Sequence, residues 1–172
     1  FPFPSRHTGR VYLSGREIPP AYKYYDTSWG EVILLSGLPG TGKDTWIGKH
    51  CSGMPVVSLD AIREEQGISP LDNQSRVVDL ARNQARELLR QKQPFVWNAT
   101  NLIPQTRQKQ MQLFESYGAA VRIVYLETSW QEQVRRNANR AAAVPENAIC
   151  HMLEKLSPPE GWEGETVIWQ CV

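Results

Sequence analysis

The sequence predicts a three-layer α/β domain with a central parallel sheet of about five strands. Short apolar runs typical of buried strands alternate along the chain with stretches of helical periodicity. A glycine-rich loop joins the first apolar run to a helix, and polar residues follow the apolar runs. Because strands that alternate with helices form right-handed βαβ units, the helices should cover both faces of a parallel sheet.

Length and composition are those of one globular domain. A chain of 172 residues, 41% hydrophobic and 22% charged, can bury a single core. The formal net charge of +1 excludes a strongly basic protein, so any nucleic-acid-binding surface has to be local. No apolar run is long enough to span a membrane and no signal-peptide pattern is visible, so we expect a cytoplasmic protein without a membrane partner. Three cysteines without CxxC spacing indicate free thiols rather than a zinc site.

Residues 1–30 differ from the rest of the chain because they are rich in proline and lack helical periodicity. We interpret them as an N-terminal arm or interdomain linker, covalently joined to an upstream domain, that precedes a domain over 31–172. Residues 11–15 could form a short edge strand. The aromatic cluster of this segment allows two interpretations, a base-stacking surface or, as we favour, a tether that packs onto the domain; it comprises Tyr22, Tyr24, Tyr25 and Trp29.

The elements follow from apolar periodicity and from glycine and proline breaks. The predicted strands cover residues 32–35, 55–59, 95–98, 120–126 and 166–172. The predicted helices cover residues 43–50, 72–92, 104–117, 130–143 and 146–155. Residues 61–70 are polar and end in a proline, so they carry no assigned element.

The first strand leads into the sequence GLPGTGKDT, which matches the phosphate-binding P-loop pattern GxxxxGK[ST] except at one position. The loop glycines let several backbone N–H groups reach one phosphate, and the helix start and lysine add positive charge. Asp44 stands where the pattern has Ser or Thr. A glycine-rich turn without a ligand is the alternative. The residues predicted to bind the donor nucleotide here are Gly37, Leu38, Pro39, Gly40, Thr41, Gly42, Lys43, Asp44 and Thr45.

Ligands bind at the carboxyl ends of the strands in open α/β sheets, so residues that follow strands are the next candidates. Asp60, on a strand expected to lie beside the P-loop, could accept a hydroxyl proton during phosphoryl transfer, or it could be only a helix N-cap. Arg63 could bind an acceptor phosphate, or it could pair with Glu64 or Glu65.

The helix after the fourth strand carries Arg135, Arg136 and Arg140, and the last two share a face. Held over a triphosphate, Arg136 and Arg140 could stabilise the transferring group, and otherwise they form a solvated basic face. Asn137 and Asn139 lower helix propensity there, which favours a mobile lid.

Three segments together resemble the kinase domains of polynucleotide 5′-hydroxyl kinases. They are SLDAIR (58–63), NATNLIPQTR (98–107) and RNANR (136–140) followed by VP, and the resemblance spans roughly residues 31–157. The similarity includes bacteriophage end-healing kinases and bacterial RNA-repair kinases fused to an HD-class phosphoesterase. The resemblance implies a P-loop kinase fold with a helical lid, ATP or GTP as donor, Mg²⁺, and 5′-OH ends of RNA or DNA as acceptor.

The resemblance also implies a role for particular residues. Lys43 matches the lysine that grips the donor phosphates, and Arg136 and Arg140 match the lid arginines that contact them. Asp60 matches the general base that activates the 5′-hydroxyl. The residues implied at the acceptor are Asp60, Arg63, Thr100, Asn101 and Arg107.

Two residues depart from this family's pattern. Asp44 replaces the hydroxyl residue that reaches magnesium, and a carboxylate is itself a good ligand for a hard cation, so we expect Asp44 to bind the metal. Thr45 lies about 100° around the helix and cannot take over that role. Asn98 stands where many relatives have Asp, so one site carboxylate is missing. A small-molecule kinase and a non-catalytic nucleotide-binding module remain the alternatives.

Overall fold

The computed structural model describes residues 3–23, 25–69, 72–140 and 143–172. Its strands are β1 (Glu31–Ser36), β2 (Val56–Ser58), β3 (Val96–Asn98), β4 (Ala120–Glu127) and β5 (Thr166–Cys171). Its helices are α1 (Arg6–Leu13), α2 (Lys43–His50), α3 (Leu59–Gln66), α4 (Ser75–Arg90), α5 (Pro104–Ser116), α6 (Trp130–Ala138) and α7 (Glu146–Lys155).

The five strands form one parallel sheet in the order β2-β3-β1-β4-β5, which confirms the predicted fold class. β1 is the central strand and pairs with β3 on one side and β4 on the other. The P-loop therefore lies in the middle of the sheet's carboxyl edge. The strand that precedes Asp60 is not beside β1 as expected, because β3 lies between β2 and β1.

Apolar side chains on both faces of the sheet explain the three layers. Val32 and Leu34 lie in a cluster with apolar residues of α4 and α5. Ile33 and Leu35, which point to the opposite face, lie in a second cluster with Trp46 of α2. β1 is consequently buried on both sides, which holds the start of the P-loop in a fixed position.

The N-terminal segment contains a helix, so the predicted edge strand at residues 11–15 is wrong. Ser5 caps α1 by accepting a hydrogen bond from the backbone N–H of Thr8, and Val11 is buried. Arg10 forms ion pairs with Glu115 and Glu165, which tie α1 to the domain.

The aromatic residues of the arm have different environments. The Trp29 indole donates to the carbonyl of Tyr117 at 2.8 Å, as a tether should. Tyr22 and Tyr25 are 58% and 72% exposed, and Tyr24 lies outside the described residues.

α3, which was not predicted as a helix, and α6 differ most from the prediction. The polar segment 61–70 lies mostly within α3, whose end is fixed by Gly67 in the left-handed region with φ 61°. α6 ends at Ala138 instead of residue 143, because the N–H of Arg140 turns to the carbonyl of Asn137. Within the described ranges, no helix is long and apolar enough to cross a membrane.

Candidate functional site

The P-loop has the backbone geometry that its glycines were predicted to provide. Gly37, Gly40 and Gly42 have φ values of 147°, 85° and 88°, which favour glycine. A Cβ on Gly37 would collide with the backbone oxygen of Leu126. Gly42 is the N-cap of α2 and carries no side-chain cap, so the first N–H groups of the helix face the loop.

Lys43 is bound to its own loop. Its Nζ donates to the carbonyls of Gly37 and Leu38 at 2.9 and 2.8 Å. Burial lowers the pKa of Lys43 to about 8, against the opposing effects of Asp44 and Asp60. These two carboxylates are close enough to act on the lysine, so the loop and the Asp60 region form one electrostatic unit.

The loop after β3 is joined to the end of β1 and the start of the P-loop by three hydrogen bonds. The N–H of Gly37 donates to the carbonyl of Thr100 at 2.9 Å, and Ser36 Oγ donates to the carbonyl of Asn101 at 3.0 Å. Asn101 Nδ2 donates in turn to the carbonyl of Leu35 at 2.6 Å. Asn101 is only 3% exposed, so its side chain holds the loop instead of facing an acceptor.

Arg107 is fully buried and paired, although the sequence placed it at the acceptor. Its guanidinium forms a bidentate ion pair with Glu163 at 2.6 and 2.8 Å. Its Nη1 donates to the carbonyls of Asn101 and Ser157. In this geometry Arg107 joins α5 to the segment before β5 and has no exposed donor group for an acceptor.

Asp60 lies on the first turn of α3 with an exposed side chain. The N-cap is Ser58, whose Oγ accepts from the N–H of Ala61, so the alternative that Asp60 only caps the helix is wrong. Asp60 Oδ1 pairs with Arg63, and Oδ2 lies 3.8 Å from Arg140. Arg63 therefore pairs with Asp60 and not with Glu64 or Glu65, and the carboxylate lies between an arginine of α3 and one of the lid.

The lid helix α6 lies directly on the P-loop. Gln133 Nε2 donates to the carbonyl of Pro39 at 3.0 Å, and Arg136 Nη1 would lie 3.3 Å from a Cβ on Gly42. Arg136 Nε donates to Glu132 at 2.6 Å, and Arg135 binds the same carboxylate from a more exposed position. Arg136 is thus the member of the α6 pair that faces the loop.

Sequence reasoning missed Glu132 and Gln133. The arginine hydrogen bonds lower the pKa of Glu132 to about 2, so this carboxylate stays ionised and orients Arg136. The pattern Ser129-x-x-Glu132 and the four-residue spacing to Arg136 were signals of a helix start and of this ion pair.

The two departures from the family pattern are in contact. Asn98 Nδ2 donates to Asp44 Oδ1 at 2.8 Å, across the space between β3 and α2. Asp44 is exposed and Asn98 is 8% exposed. Carboxylate and amide oxygens are hard-cation ligands, so this donor set fits Mg²⁺ held together with nucleotide phosphates. In the part of the chain that the structure describes, no three His, Cys, Asp or Glu residues form a metal cluster.

Trp162 lies away from the P-loop. It lines a cavity of about 670 Å³ with residues of α1 and α5, among them Arg10 and Met111. No P-loop residue lines this cavity.

A P-loop that follows the central strand of a parallel sheet, with an arginine-bearing lid helix packed on the loop, defines a P-loop kinase fold. The chain belongs to the AAA_33 family, described as an AAA domain, which matches residues 32–159.

Solved structures show the same fold. A putative kinase from Chloroflexus aurantiacus has a TM-score of 0.68 at 19% identity and covers 84% of this chain and 86% of its own. A chain of the Pnkp1/Rnl/Hen1 RNA repair complex has a TM-score of 0.66 at 20% identity, covering 78% of this chain and 46% of its own. A gluconokinase from Sinorhizobium meliloti has a TM-score of 0.57 at 22% identity and covers 84% of each chain.

Among curated proteins, the heterogeneous nuclear ribonucleoprotein U-like protein 2 of mouse and human is 26% identical over 148 residues. The match covers 76% of this chain but only 20% of those proteins. The chain therefore spans about a fifth of the length of these relatives.

Proposed function

We propose that this chain is a polynucleotide 5′-hydroxyl kinase, which transfers the γ-phosphate of a nucleoside triphosphate to the 5′-OH end of RNA or DNA. The observation that carries the proposal is the position of Asp60 between Arg63 and Arg140. Arg63 lies on α3, and Arg140 lies two residues beyond the end of the lid helix α6, so it does not share a helical face with Arg136 as expected. A carboxylate in this position lies close to Arg140, on the side of the nucleotide donor, and to Arg63, on the side of the acceptor.

The separation between β2 and β1 supports this arrangement. Because β3 lies between them, two strand spacings of about 4.8 Å each separate the strand leading to Asp60 from the strand leading to the P-loop. That separation leaves space beyond the end of β3 for a terminal nucleoside whose 5′-oxygen contacts both Asp60 and the γ-phosphate. Arg63 Nε donates to Gln74 Oε1 at 2.5 Å, and this bond orients the guanidinium to bind a phosphate next to that nucleoside.

Each residue then has a definite step. Asp60 accepts the proton of the 5′-hydroxyl while the hydroxyl oxygen forms a bond to the γ-phosphorus. The bond from the γ-phosphorus to the bridging oxygen of the donor breaks at the same time, and the nucleoside diphosphate is released. Lys43 and the loop N–H groups hold the donor phosphates, and Arg136 and Arg140 offset the charge on the transferring group. Magnesium would neutralise charge on the donor phosphates when bound, and Asp44, oriented by Asn98, is the residue that would hold it.

The test is phosphate transfer by the wild-type protein from γ-labelled triphosphates to 5′-OH oligonucleotides. We expect label on RNA or DNA ends and none on the same oligonucleotide carrying a 5′-phosphate. Comparing RNA with DNA across the four triphosphates identifies the acceptor and the donor. Absence of transfer to any 5′-OH end, with intact nucleotide binding, would contradict the proposal.

A kinase of a small alcohol is the second candidate. The burial of Arg107 and Asn101 favours it, because two of the implied acceptor contacts are then engaged within the protein. Competition decides between the two, since an excess of small sugars or nucleosides should leave oligonucleotide labelling unchanged if the proposed function is correct.

A further inference from the structure

The direct contact between Asp44 and Asn98 joins two positions that are 54 residues apart in the chain. Asp44 lies in the first turn of α2 at the end of the P-loop, and Asn98 ends β3, the neighbour of β1. Asn98 pairs in register with Ser58 of β2 and is largely buried, so its amide has a fixed position. Asp44 is exposed and depends on this amide for its orientation.

The pair carries the same total charge as the usual P-loop arrangement, with the groups exchanged. In P-loop NTPases a neutral hydroxyl on the loop and a carboxylate on a nearby strand hold Mg²⁺. Here the carboxylate is on the loop and the neutral group is on the strand. Either arrangement has one negative charge, whereas changing only one of the two positions would give none or two.

We propose that positions 44 and 98 have exchanged roles and form one magnesium-holding unit, in which Asp44 supplies the carboxylate and Asn98 is the positioning residue that orients it. The proposal rests on the proposed binding of a magnesium–nucleotide complex at this loop. Asn98 Nδ2 donates to Asp44 Oδ1, which leaves Asp44 Oδ2 for the cation or for a water bound to it.

The distance of 2.8 Å between Asn98 Nδ2 and Asp44 Oδ1 determines which side chains position 98 can accommodate. A carboxylate in place of the amide would bring two negative charges to about hydrogen-bond distance, which raises the energy of the pair without a cation. An alanine there would remove the donor that orients Asp44. The two positions should therefore tolerate a joint exchange better than either single change.

The test compares D44S, N98A, N98D and D44S/N98D in binding a non-hydrolysable ATP analogue, with EDTA and over a magnesium titration. We expect D44S to lose most of the affinity that magnesium adds, and N98A to weaken the apparent magnesium affinity by about 10-fold. D44S/N98D should recover to within about threefold of wild type, because it restores one carboxylate and one neutral oxygen. A double variant no better than D44S would overturn the proposal.

A second readout needs no nucleotide. In EDTA, N98D should lower the melting temperature by like-charge repulsion, and adding D44S should restore it. The matched control is D79S/N83D, which makes the same two changes on α4, where Asp79 and Asn83 are exposed; it should leave magnesium dependence unchanged.

The outcomes separate this inference from the proposed function. Analogue binding that is independent of magnesium in the wild type would overturn the metal unit and leave nucleotide binding intact. The expected variant pattern without transfer to any 5′-OH end would support the unit and contradict the proposed acceptor.

Discussion

Lys43 shows at the residue scale how the loop is prepared for phosphate. Its ammonium group donates to the carbonyls of Gly37 and Leu38, and the oxygens of a triphosphate would replace those acceptors. Since burial lowers its pKa to about 8, the charged form is less favoured than in an exposed lysine, and a bound anion would favour it again.

Nucleotide binding should therefore take up protons at about pH 8.5, where part of Lys43 is neutral, and take up almost none near pH 6. Calorimetry in two buffers of different ionisation enthalpy measures the uptake. K43M should abolish it, and K49M, an exposed lysine on the same helix, should not.

The same shift has a defined sign for stability. The folded pKa lies below the ordinary value of 10.5, so between about pH 8 and 10.5 the unfolded chain holds more protons. The cost of burying charged Lys43 is thus complete below pH 8 and disappears as the pH rises through that window. In the two-buffer calorimetry described above, a binding enthalpy at pH 8.5 that is the same in both buffers would contradict the lowered pKa of Lys43.

Arg107 and Glu163 give the second prediction at this scale. R107M should lower the free energy of unfolding by about 3–5 kcal/mol, because it leaves Glu163 buried without a partner. R107K should not restore it, since an ammonium group cannot form the bidentate pair. Denaturant unfolding measures both variants.

The matched control is the half-exposed pair of Arg122 and Glu31, where R122M should cost less than about 1 kcal/mol. R107M/E163L should regain most of the loss and keep phosphate transfer if Arg107 is structural. Recovered stability with lost transfer would instead restore the predicted role of Arg107 at the acceptor.

At the scale of elements, Asn137 joins the lid helix α6 to the start of the segment that leads into α7. Asn137 Nδ2 donates to the carbonyl of Val144 at 2.7 Å, and its Oδ1 accepts from the N–H of Val144 at 3.0 Å. These two bonds join the last turn of α6, which carries Arg136, to Val144, two residues before α7.

N137A should free that connection at a local cost of about 1–3 kcal/mol, with little change in global stability. Hydrogen exchange of the backbone N–H groups at residues 144–149 should become faster, and nucleotide affinity should fall several-fold. N139A, at an exposed neighbour, is the control. Unchanged exchange in N137A would show that other contacts hold the lid.

At the scale of the whole molecule, the features that the sequence predicted correctly are those encoded by local periodicity. The apolar runs and the glycine-rich loop specify five parallel strands and the P-loop, since a strand buried on both faces has a continuous apolar signature. The strand order was not encoded locally, because β2 and β3 are both three-residue strands and the fuller burial of β3, which lies beside β1, arises only in the folded sheet.

The parts of the site that were missed depend on residues distant in sequence. Asp44 meets Asn98 across 54 residues, and Arg107 meets Glu163 across 56. Asp44, Asn98 and Arg107 were identified in the sequence and Glu163 was not, but only the fold shows which pairs are in contact. The same limit applies to α1, whose ion pairs with Glu115 and Glu165 stabilise a short polar helix that has a weak local signal.

The most direct test is the effect of D60N on a single turnover of phosphate transfer to a 5′-OH oligonucleotide, measured beside the affinity for an ATP analogue. Asparagine keeps the shape of Asp60 but cannot accept the proton, so the rate should fall by about 10²–10⁴-fold while affinity stays within about threefold. D79N, an exposed carboxylate on α4, should transfer at the wild-type rate. Transfer by D60N at an undiminished rate would contradict the assignment of Asp60 as the base.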